Sequence, residues 1–169
     1  TNTDNKSIRR YNTMQTFLPY ADFEESAKVL DYRRLGKQRV EGMQIINAIE
    51  NPNPQGWKNH PIVIMWTPYV TSLKHYTNVM IREWISQGYN NNMELYDVDE
   101  FIEDDMVHFP YWLGKESFHS SHRANLLRKD YDYYSKYEWK ENPESPYVWH
   151  DKEGLWYEQL IGTGKRVYL

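Results

Sequence analysis

The chain has 169 residues, no cysteine and a formal charge of −4 at neutral pH. The missing cysteine excludes a disulfide framework, a thiolate nucleophile and a zinc–thiolate site, and the acidic balance argues against a general nucleic-acid binder. Fifteen tyrosines and seven tryptophans predict an aromatic core. We expect a cytoplasmic protein without a membrane anchor, because the sequence shows no signal-peptide core and no apolar run of about 18 residues.

Charge is distributed unevenly along the chain. Seven carboxylates and no lysine or arginine lie between Glu94 and Asp105, so this segment more than accounts for the negative balance. Cationic side chains cluster instead over residues 33–39 and 119–129. The composition therefore allows a compact basic face on an acidic protein.

The first predicted elements follow a polar N-terminal stretch. Residues 1–13 are polar and lack periodicity, which predicts a flexible extension before a single domain over residues 14–169. Met14 opens a short extended segment, and the capping-box pattern of Asp22 and Glu25 predicts a first helix over residues 22–30.

A second predicted helix, over residues 31–49, has an apolar stripe that changes character halfway along. The apolar stripe contains Leu35, Gly42, Met43, Ile46 and Ile49. Gln38 and Arg39 fall inside this stripe, and Arg34 and Glu41 lie at its edge. A buried guanidinium must be paired or must face something polar. The N-terminal half of the helix is therefore expected to line a cleft or interface, and an internal arginine–carboxylate bridge explains the pattern equally well.

Loops and helices alternate in the rest of the chain. Residues 50–61 carry three prolines and predict a loop. The apolar residues 62–66 lead to a helix that Thr67 is expected to cap, with Pro68 at its first position and Gly88 at its end.

The C-terminal half continues this mainly helical pattern. A short helix is predicted over residues 98–105, a longer one over 115–129, and a continuation over 131–139. The last thirty residues are expected to be irregular, with at most a short terminal strand. The predicted fold is mainly α, a single compact domain of about five helices with long loops.

Three polar clusters provide candidate functional residues. The first lies on the second helix and contains Arg33, Arg34, Lys37, Gln38, Arg39 and Glu41. Spacings of four and three residues place Arg34, Gln38 and Glu41 on one helix face. A carboxylate held among cations can stabilise a developing positive charge or activate a water. The same spacing also occurs on ordinary surface helices.

The other two clusters suit contact with nucleic acid. The loop cluster contains Trp57, Lys58, Asn59 and His60. It offers an aromatic ring, a cation, an amide and an imidazole for stacking on and hydrogen-bonding a base, although a tryptophan that only covers the core fits as well. The third cluster contains His119, Ser120, Ser121, His122, Arg123, Asn125 and Arg128. These residue types fit phosphate contact better than metal binding, and His122 fits a core histidine equally well.

Four motifs of this sequence are MQTFLPYADFEESAKVLDYRRLGKQRVEGMQII, GWKNHPIVIMW, WLGKESFHSSHRANLLRKD and PYVW. They resemble the motifs of the pyrimidine-dimer DNA glycosylase family. The likeness spans most of residues 14–149 and is greatest to short, mostly uncharacterised bacterial members. It implies an endonuclease V-like, all-α fold and excision of a base from duplex DNA after the nucleotide is extruded. The best-studied member attacks with its N-terminal amine, forms a Schiff base, and uses a helix glutamate to support the positive charge of the sugar.

Neither half of that catalytic pair transfers directly to this sequence. Thirteen residues precede Met14, and aligning Tyr32 and Arg33 with the family motif puts Arg34 where the glutamate is expected. Glu41 is the nearest carboxylate on the same face, and Asp31 is the next candidate. We therefore predict a glycosylase that hydrolyses the N-glycosidic bond of a damaged or modified pyrimidine without efficient strand cleavage.

The prediction assigns each cluster a role. The catalytic group consists of Glu41, Arg34, Gln38 and Arg39. The predicted contacts to double-stranded DNA are Arg33, Lys37, Lys58, Ser121, Arg123 and Arg128. The predicted base pocket consists of Trp57, Asn59, His60, His119 and His122. We expect a monomer without metal or cofactor, acting in repair or in defence against modified phage DNA. The alternatives are a non-catalytic DNA- or nucleotide-binding module and a protein-interaction domain that uses the acidic stretch.

Overall fold

Helices are the main secondary structure of the described residues, and a small sheet follows them at the C-terminal end. The computed structural model describes residues 14–52, 56 and 58–169, so the predicted extension over residues 1–13 lies outside the described residues. The mainly α fold is confirmed. No helix in the described part of the chain is long and apolar enough to cross a membrane.

The first two helices begin within one residue of their predicted starts. Helix α1 spans Phe23–Val29, and the side chain of Asp22 accepts a hydrogen bond from the backbone N of Glu25 at 2.8 Å. Helix α2 spans Tyr32–Glu50, with Asp31 as its cap. The segment before them forms neither helix nor strand, and residues 14–19 are all buried.

The next helical region starts earlier than the sequence indicates. Helix α3 spans Pro61–Trp66, a 3₁₀ turn spans Thr67–Tyr69, and helix α4 spans Val70–Ser86. The predicted start at Thr67 is therefore wrong. His60 caps α3, Pro61 takes its first position, and the Thr67 hydroxyl donates back to Val63 O at 2.6 Å. The predicted end near Gly88 is confirmed, and that glycine has a φ of +89°.

Short helices follow in the second half of the chain. Helix α5 spans Asp99–Glu103, α6 spans Glu116–Lys129 and α7 spans Tyr131–Tyr134. A 3₁₀ turn over Ser135–Tyr137 ends at Glu138, whose left-handed φ of 59° stops the helix that the sequence extends to residue 139.

The C-terminal region forms a sheet rather than an irregular tail. Strands β1 (Tyr147–His150), β2 (Trp156–Gln159) and β3 (Arg166–Tyr168) pair antiparallel in that order. Glu158 of β2 faces Val148 on one side and Val167 on the other. Strand β1 packs on α6 and α3. The prediction of an irregular C-terminus is wrong because these strands have only three or four residues, too few for a reliable alternating pattern.

Contact between α2 and α4 fixes the orientation of α2. A side chain at Gly42 would overlap Thr77 Oγ1, and a Cβ at Gly36 would lie 2.9 Å from Trp84 Cζ3. The two glycines therefore allow the helices to approach closely. Packing α2 on α4 turns Arg34, Gln38 and Glu41 towards the opening segment and the start of α7.

Candidate active site

A cavity of about 590 Å³ opens beside the N-terminal half of α2. Its α2 side is formed by Tyr32, Arg33, Arg34, Lys37, Gln38 and Glu41. The junction of α6 and α7 contributes Lys129, Asp130 and Tyr133, and Phe17 and Asp31 complete the lining. The polar interruption of the α2 stripe therefore lies at a cleft.

Asp31 and Arg34 form an ion pair at the start of α2. Asp31 caps the helix by accepting from the backbone N of Arg34, and the Arg34 guanidinium donates to its carboxylate at 3.1 Å. The buried Tyr134 hydroxyl also donates to Asp31. Burial alone would raise the pKa of Asp31, but these hydrogen bonds and the charge of Arg34 outweigh it and hold the pKa below its usual value.

Gln38 joins the opening segment to α2. Its Oε1 accepts from Phe17 N at 2.9 Å and from the Tyr76 hydroxyl at 2.6 Å. Its Nε2 donates to Gln15 O at 3.0 Å and to Glu41 Oε2 at 3.1 Å. The side chain is only 1% exposed, and its polar atoms are fully used. Gln38 is therefore suited to position Glu41 rather than to react.

Glu41 places a largely buried carboxylate on the cavity wall. Its side chain is 12% exposed, and Oε2 accepts from Gln38 and, at 3.4 Å, from the backbone N of Gln15. Lys37 Nζ lies 3.8 Å from Oε1. Burial raises the pKa of Glu41 above its usual value, although Lys37 and the hydrogen bonds oppose the shift. A carboxylate with raised basicity facing a cavity has the properties of a general base.

Cations surround this carboxylate. Lys37 and Arg33 are exposed at the rim of the cavity. Lys129 lines the cavity too, although the residue as a whole is exposed. Partial burial, and after it the positive charges of neighbours such as Arg34, lower the pKa of Lys129. The rim therefore offers positive charge to an anionic ligand.

Arg39 does not line this cavity, which corrects its predicted grouping with Arg34 and Glu41. Its guanidinium lies over the Trp84 ring, 4.4 Å from the ring centroid, and donates to Asn91 Oδ1 at 2.7 Å. A cation–π contact thus accounts for a charged residue in the apolar stripe.

The loop cluster lies at a different cavity. Trp57 lies outside the described residues, and Lys58 is exposed. Asn59 accepts from Lys152 Nζ at 2.8 Å, and the buried His60 caps α3 through Nδ1. Asn59 and His60 line a cavity of about 200 Å³ beside the sheet that shares no lining residue with the cavity at α2. The structure therefore does not bring this predicted base pocket to Glu41.

The two histidines of the third cluster hold the opening segment in place. His119 Nε2 accepts from Gly114 N, and its Nδ1 lies 2.9 Å from Leu18 O. His122 Nδ1 accepts from Leu18 N at 2.9 Å. Burial is the main cause that lowers the pKa of each histidine, so both are neutral at physiological pH. Neither lines the cavity at α2.

The remaining members of this cluster are also engaged within the protein. Arg123 pairs with Glu116 and Glu141 and donates to Pro19 O. Arg128 donates to the carbonyls of residues 143 and 145. The Ser121 hydroxyl donates to Phe118 O and accepts from Val148 N. Their polar atoms connect α6 to neighbouring segments, so the predicted phosphate contacts would have to compete with these bonds.

The sequence prediction missed the part of the cavity formed by Lys129, Asp130 and Tyr133. Lys129 adjoins the predicted Arg128, but no local pattern indicates that it approaches Glu41. Among the described residues, no group of three or more histidine, aspartate or glutamate side chains is arranged to hold a metal ion.

Comparison with known proteins provides a family for the first half of the chain. No curated protein and no solved structure gives a significant match. Residues 14–97, about half of the chain, match the family model described as pyrimidine dimer DNA glycosylase. This region contains the opening segment and all of α2, including Gln38 and Glu41. Over these residues the chain is therefore similar to the pyrimidine dimer DNA glycosylase family.

Proposed function

We propose that this protein is a DNA glycosylase that removes a damaged or modified pyrimidine from double-stranded DNA. The observation that carries the proposal is Glu41, a largely buried carboxylate with a raised pKa on the wall of a cation-rimmed cavity. A cavity of about 590 Å³ lies within the range of small-molecule sites, roughly 300–1,000 Å³. The volume supports the proposal because excision of a base from duplex DNA requires a site that can receive an extruded nucleotide.

Glu41 acts on a water in this proposal. The carboxylate takes a proton from the water as the water oxygen bonds to C1′ and the N-glycosidic bond breaks, and the base leaves with the bonding electrons. The negative charge also stabilises the positive charge that develops on the sugar. Because no covalent bond to the protein forms, the product is an abasic site in an intact strand.

The cations at the rim hold the DNA. Arg33, Lys37 and Lys129 lie at the cavity. Among the described residues, the nearest carboxylate contact of these three cations is the 3.8 Å contact between Lys37 and Glu41, so we expect their charges to be available to phosphates. Arg34 is already paired with Asp31 and is better suited to shape the site. This arrangement gives an acidic protein a local basic surface.

A base-release assay tests the proposal. Duplexes carrying pyrimidine dimers or modified pyrimidines are incubated with the protein, and strand breaks are measured with and without alkali. We expect breaks only after alkali. Glu41→Gln should lower the excision rate by about 10²–10⁴-fold while retaining DNA affinity. The matched control is Glu50→Gln at the opposite end of α2, where Glu50 pairs with Lys74.

The same assay distinguishes the non-catalytic alternative. A binding module would bind these duplexes with salt-dependent affinity but release no base from any substrate. Excision by Glu41→Gln at the unaltered rate would refute the catalytic role of Glu41. A lack of all DNA binding would favour the protein-interaction alternative.

The contact between Glu41 and Gln15 supports a second candidate chemistry. Glu41 Oε2 lies 3.4 Å from the backbone N of Gln15. That nitrogen is a non-nucleophilic amide in the full chain, whereas in a chain beginning at Gln15 it would be an amine beside a carboxylate. The family resemblance associates this pair of groups with Schiff-base chemistry. Borohydride trapping on lesion DNA with both chains separates the mechanisms, since only the amine route gives a covalent adduct and breaks without alkali.

A further inference from the structure

Four side chains stack in series from the cavity rim towards the contact between α2 and α4. The rings of Tyr32 and Tyr89 are 5.9 Å apart with an interplanar angle of 27°. The rings of Tyr89 and Trp84 stack with their centroids 4.4 Å apart and an interplanar angle of 28°. The Arg39 guanidinium lies 4.4 Å from the centroid of the Trp84 ring. We call Tyr32, Tyr89, Trp84 and Arg39 the aromatic ladder.

The inner end of the ladder is held firmly. Trp84 packs over Gly36, and its Nε1 donates to Asn90 O at 2.7 Å. Arg39 is fixed by its 2.7 Å bond to Asn91. The segment that carries Tyr89 is thus bound to α2 and α4 by hydrogen bonds as well as by ring contacts. The orientation of Tyr89, and through it that of Tyr32, is set before any ligand arrives.

The outer end of the ladder is open and belongs to the cavity. Tyr32 is 51% exposed and lines the cavity next to Arg33 and Lys37. Arg33 Nε donates to the Tyr32 hydroxyl at 3.2 Å, which keeps a cation beside the ring. Gln38, Asp31 and Arg34 also line the cavity, but their hydrogen bonds within the protein explain their positions. Tyr32 differs from them because it presents an exposed ring that is supported by a fixed stack.

We propose that Tyr32 stacks on the nucleobase next to the extruded nucleotide, with Tyr89 and Trp84 holding its ring in place. This role rests on the proposed function. Extrusion leaves the neighbouring base with one unstacked face, and an aromatic side chain at the mouth of the receiving cavity can replace the lost partner. Arg33 and Lys37, on the same rim, would hold the adjoining phosphates. The combination of a ring and cations matches single-stranded or locally opened nucleic acid.

Fluorescence of a stacking reporter tests the role directly. The probe is a duplex with a tetrahydrofuran abasic analogue and 2-aminopurine as the adjacent base, so no base release is needed. We expect the unaltered protein to quench 2-aminopurine on binding. Tyr32→Leu should abolish that quenching and weaken binding about tenfold, and Tyr32→Trp should restore both. The matched control is Tyr111→Leu, because Tyr111 is 61% exposed and does not line the cavity.

Salt dependence separates stacking from phosphate contact. Tyr32→Leu removes no charge, so the slope of log affinity against log salt should not change, whereas Arg33→Gln should lower the slope by about one. Tyr89→Leu should reduce the quenching without affecting the slope, since it removes the support of Tyr32.

The outcomes distinguish this inference from the function on which it rests. If the unaltered protein binds the probe but Tyr32→Leu quenches and binds equally well, the stacking role is refuted and the glycosylase proposal stands. If the unaltered protein neither binds the probe nor releases any base, both fail. Quenching that depends on Tyr32, with base release that depends on Glu41, supports both.

Discussion

Replacing Gln38 by leucine tests whether this side chain positions the candidate catalytic carboxylate. Leucine keeps the approximate volume but removes the amide. Phe17 N then loses its acceptor and Gln15 O its donor, whereas the Tyr76 hydroxyl keeps Phe17 O as an acceptor at 2.9 Å. Two buried backbone groups are left unsatisfied.

The magnitude follows from those two groups. Each unsatisfied buried group costs about 1–3 kcal/mol, and burial of an apolar leucine offsets part of that cost. We expect the free energy of unfolding to fall by about 2–4 kcal/mol. For a chain of this size the melting temperature should then fall by roughly 5–15 °C.

The activity should change in a characteristic way. Gln38→Leu also removes the 3.1 Å hydrogen bond to Glu41, which favours the ionised carboxylate. The pKa of Glu41 should rise further, so the acid limb of the pH profile should move to higher pH. Excision rates measured well below the melting temperature, across pH, separate this shift from unfolding.

Gln44→Leu provides the control, and two results would contradict the reasoning. Gln44 is half-buried on the same helix and makes no side-chain hydrogen bond to the described residues. If both variants melt within about 2 °C of the unaltered protein, the hydrogen bonds of Gln38 do not stabilise the opening segment. An unchanged acid limb in Gln38→Leu would show that Gln38 does not tune Glu41.

Three further outcomes are expected. Burial raises the pKa of Glu41, and the ionised form is the active base, so kcat/KM should fall as the pH drops. The midpoint of this fall should lie above the usual glutamate pKa of about 4.3, and a midpoint at or below that value contradicts the assignment of Glu41 as the base. Gly42→Ala should lower the urea midpoint, corresponding to about 1–2 kcal/mol, because its Cβ would overlap Thr77 Oγ1 at the α2–α4 contact. Arg39→Met should cost about 1 kcal/mol in urea unfolding, since it loses the contact with Trp84, and it should weaken DNA binding only through the aromatic ladder, so that the excision rate at saturating DNA stays unchanged; a large loss of that rate would place Arg39 in the catalytic group.

Local sequence signals predict the helices that carry the site, and they do so for identifiable reasons. Asp22 and Asp31 are capping residues followed by amphipathic periods, and Gly88 has the positive φ that ends a helix. Helix α3 was not predicted because the five apolar residues 62–66 fit a buried strand or a buried helix equally well. Pro61 and His60 decide in favour of the helix, since one suits its first position and the other caps it.

Only part of the cavity lining can be predicted from the sequence, for a related reason. Arg34, Gln38 and Glu41 share a face through helix geometry alone, so spacing brings them together. Lys129 reaches the same cavity through tertiary packing of α6, which no local pattern encodes. The polar clusters at His60 and on α6 carry suitable chemical groups, but their hydrogen bonds serve helix capping and the attachment of the opening segment.

The position of the carboxylate along α2 bears on the chemistry proposed for this protein. The family resemblance expects a glutamate where this chain has Arg34, and Arg34 is already neutralised by Asp31 at the start of the helix. Glu41 lies two turns further along, where Gln38 and the backbone of Gln15 bind it. A carboxylate at that end of the cavity is held by the opening segment itself. The proposed action of Glu41 therefore depends on the backbone nitrogen of Gln15. While this nitrogen is an amide, water is the nucleophile. A free amine at the same position would take the place of water as the nucleophile.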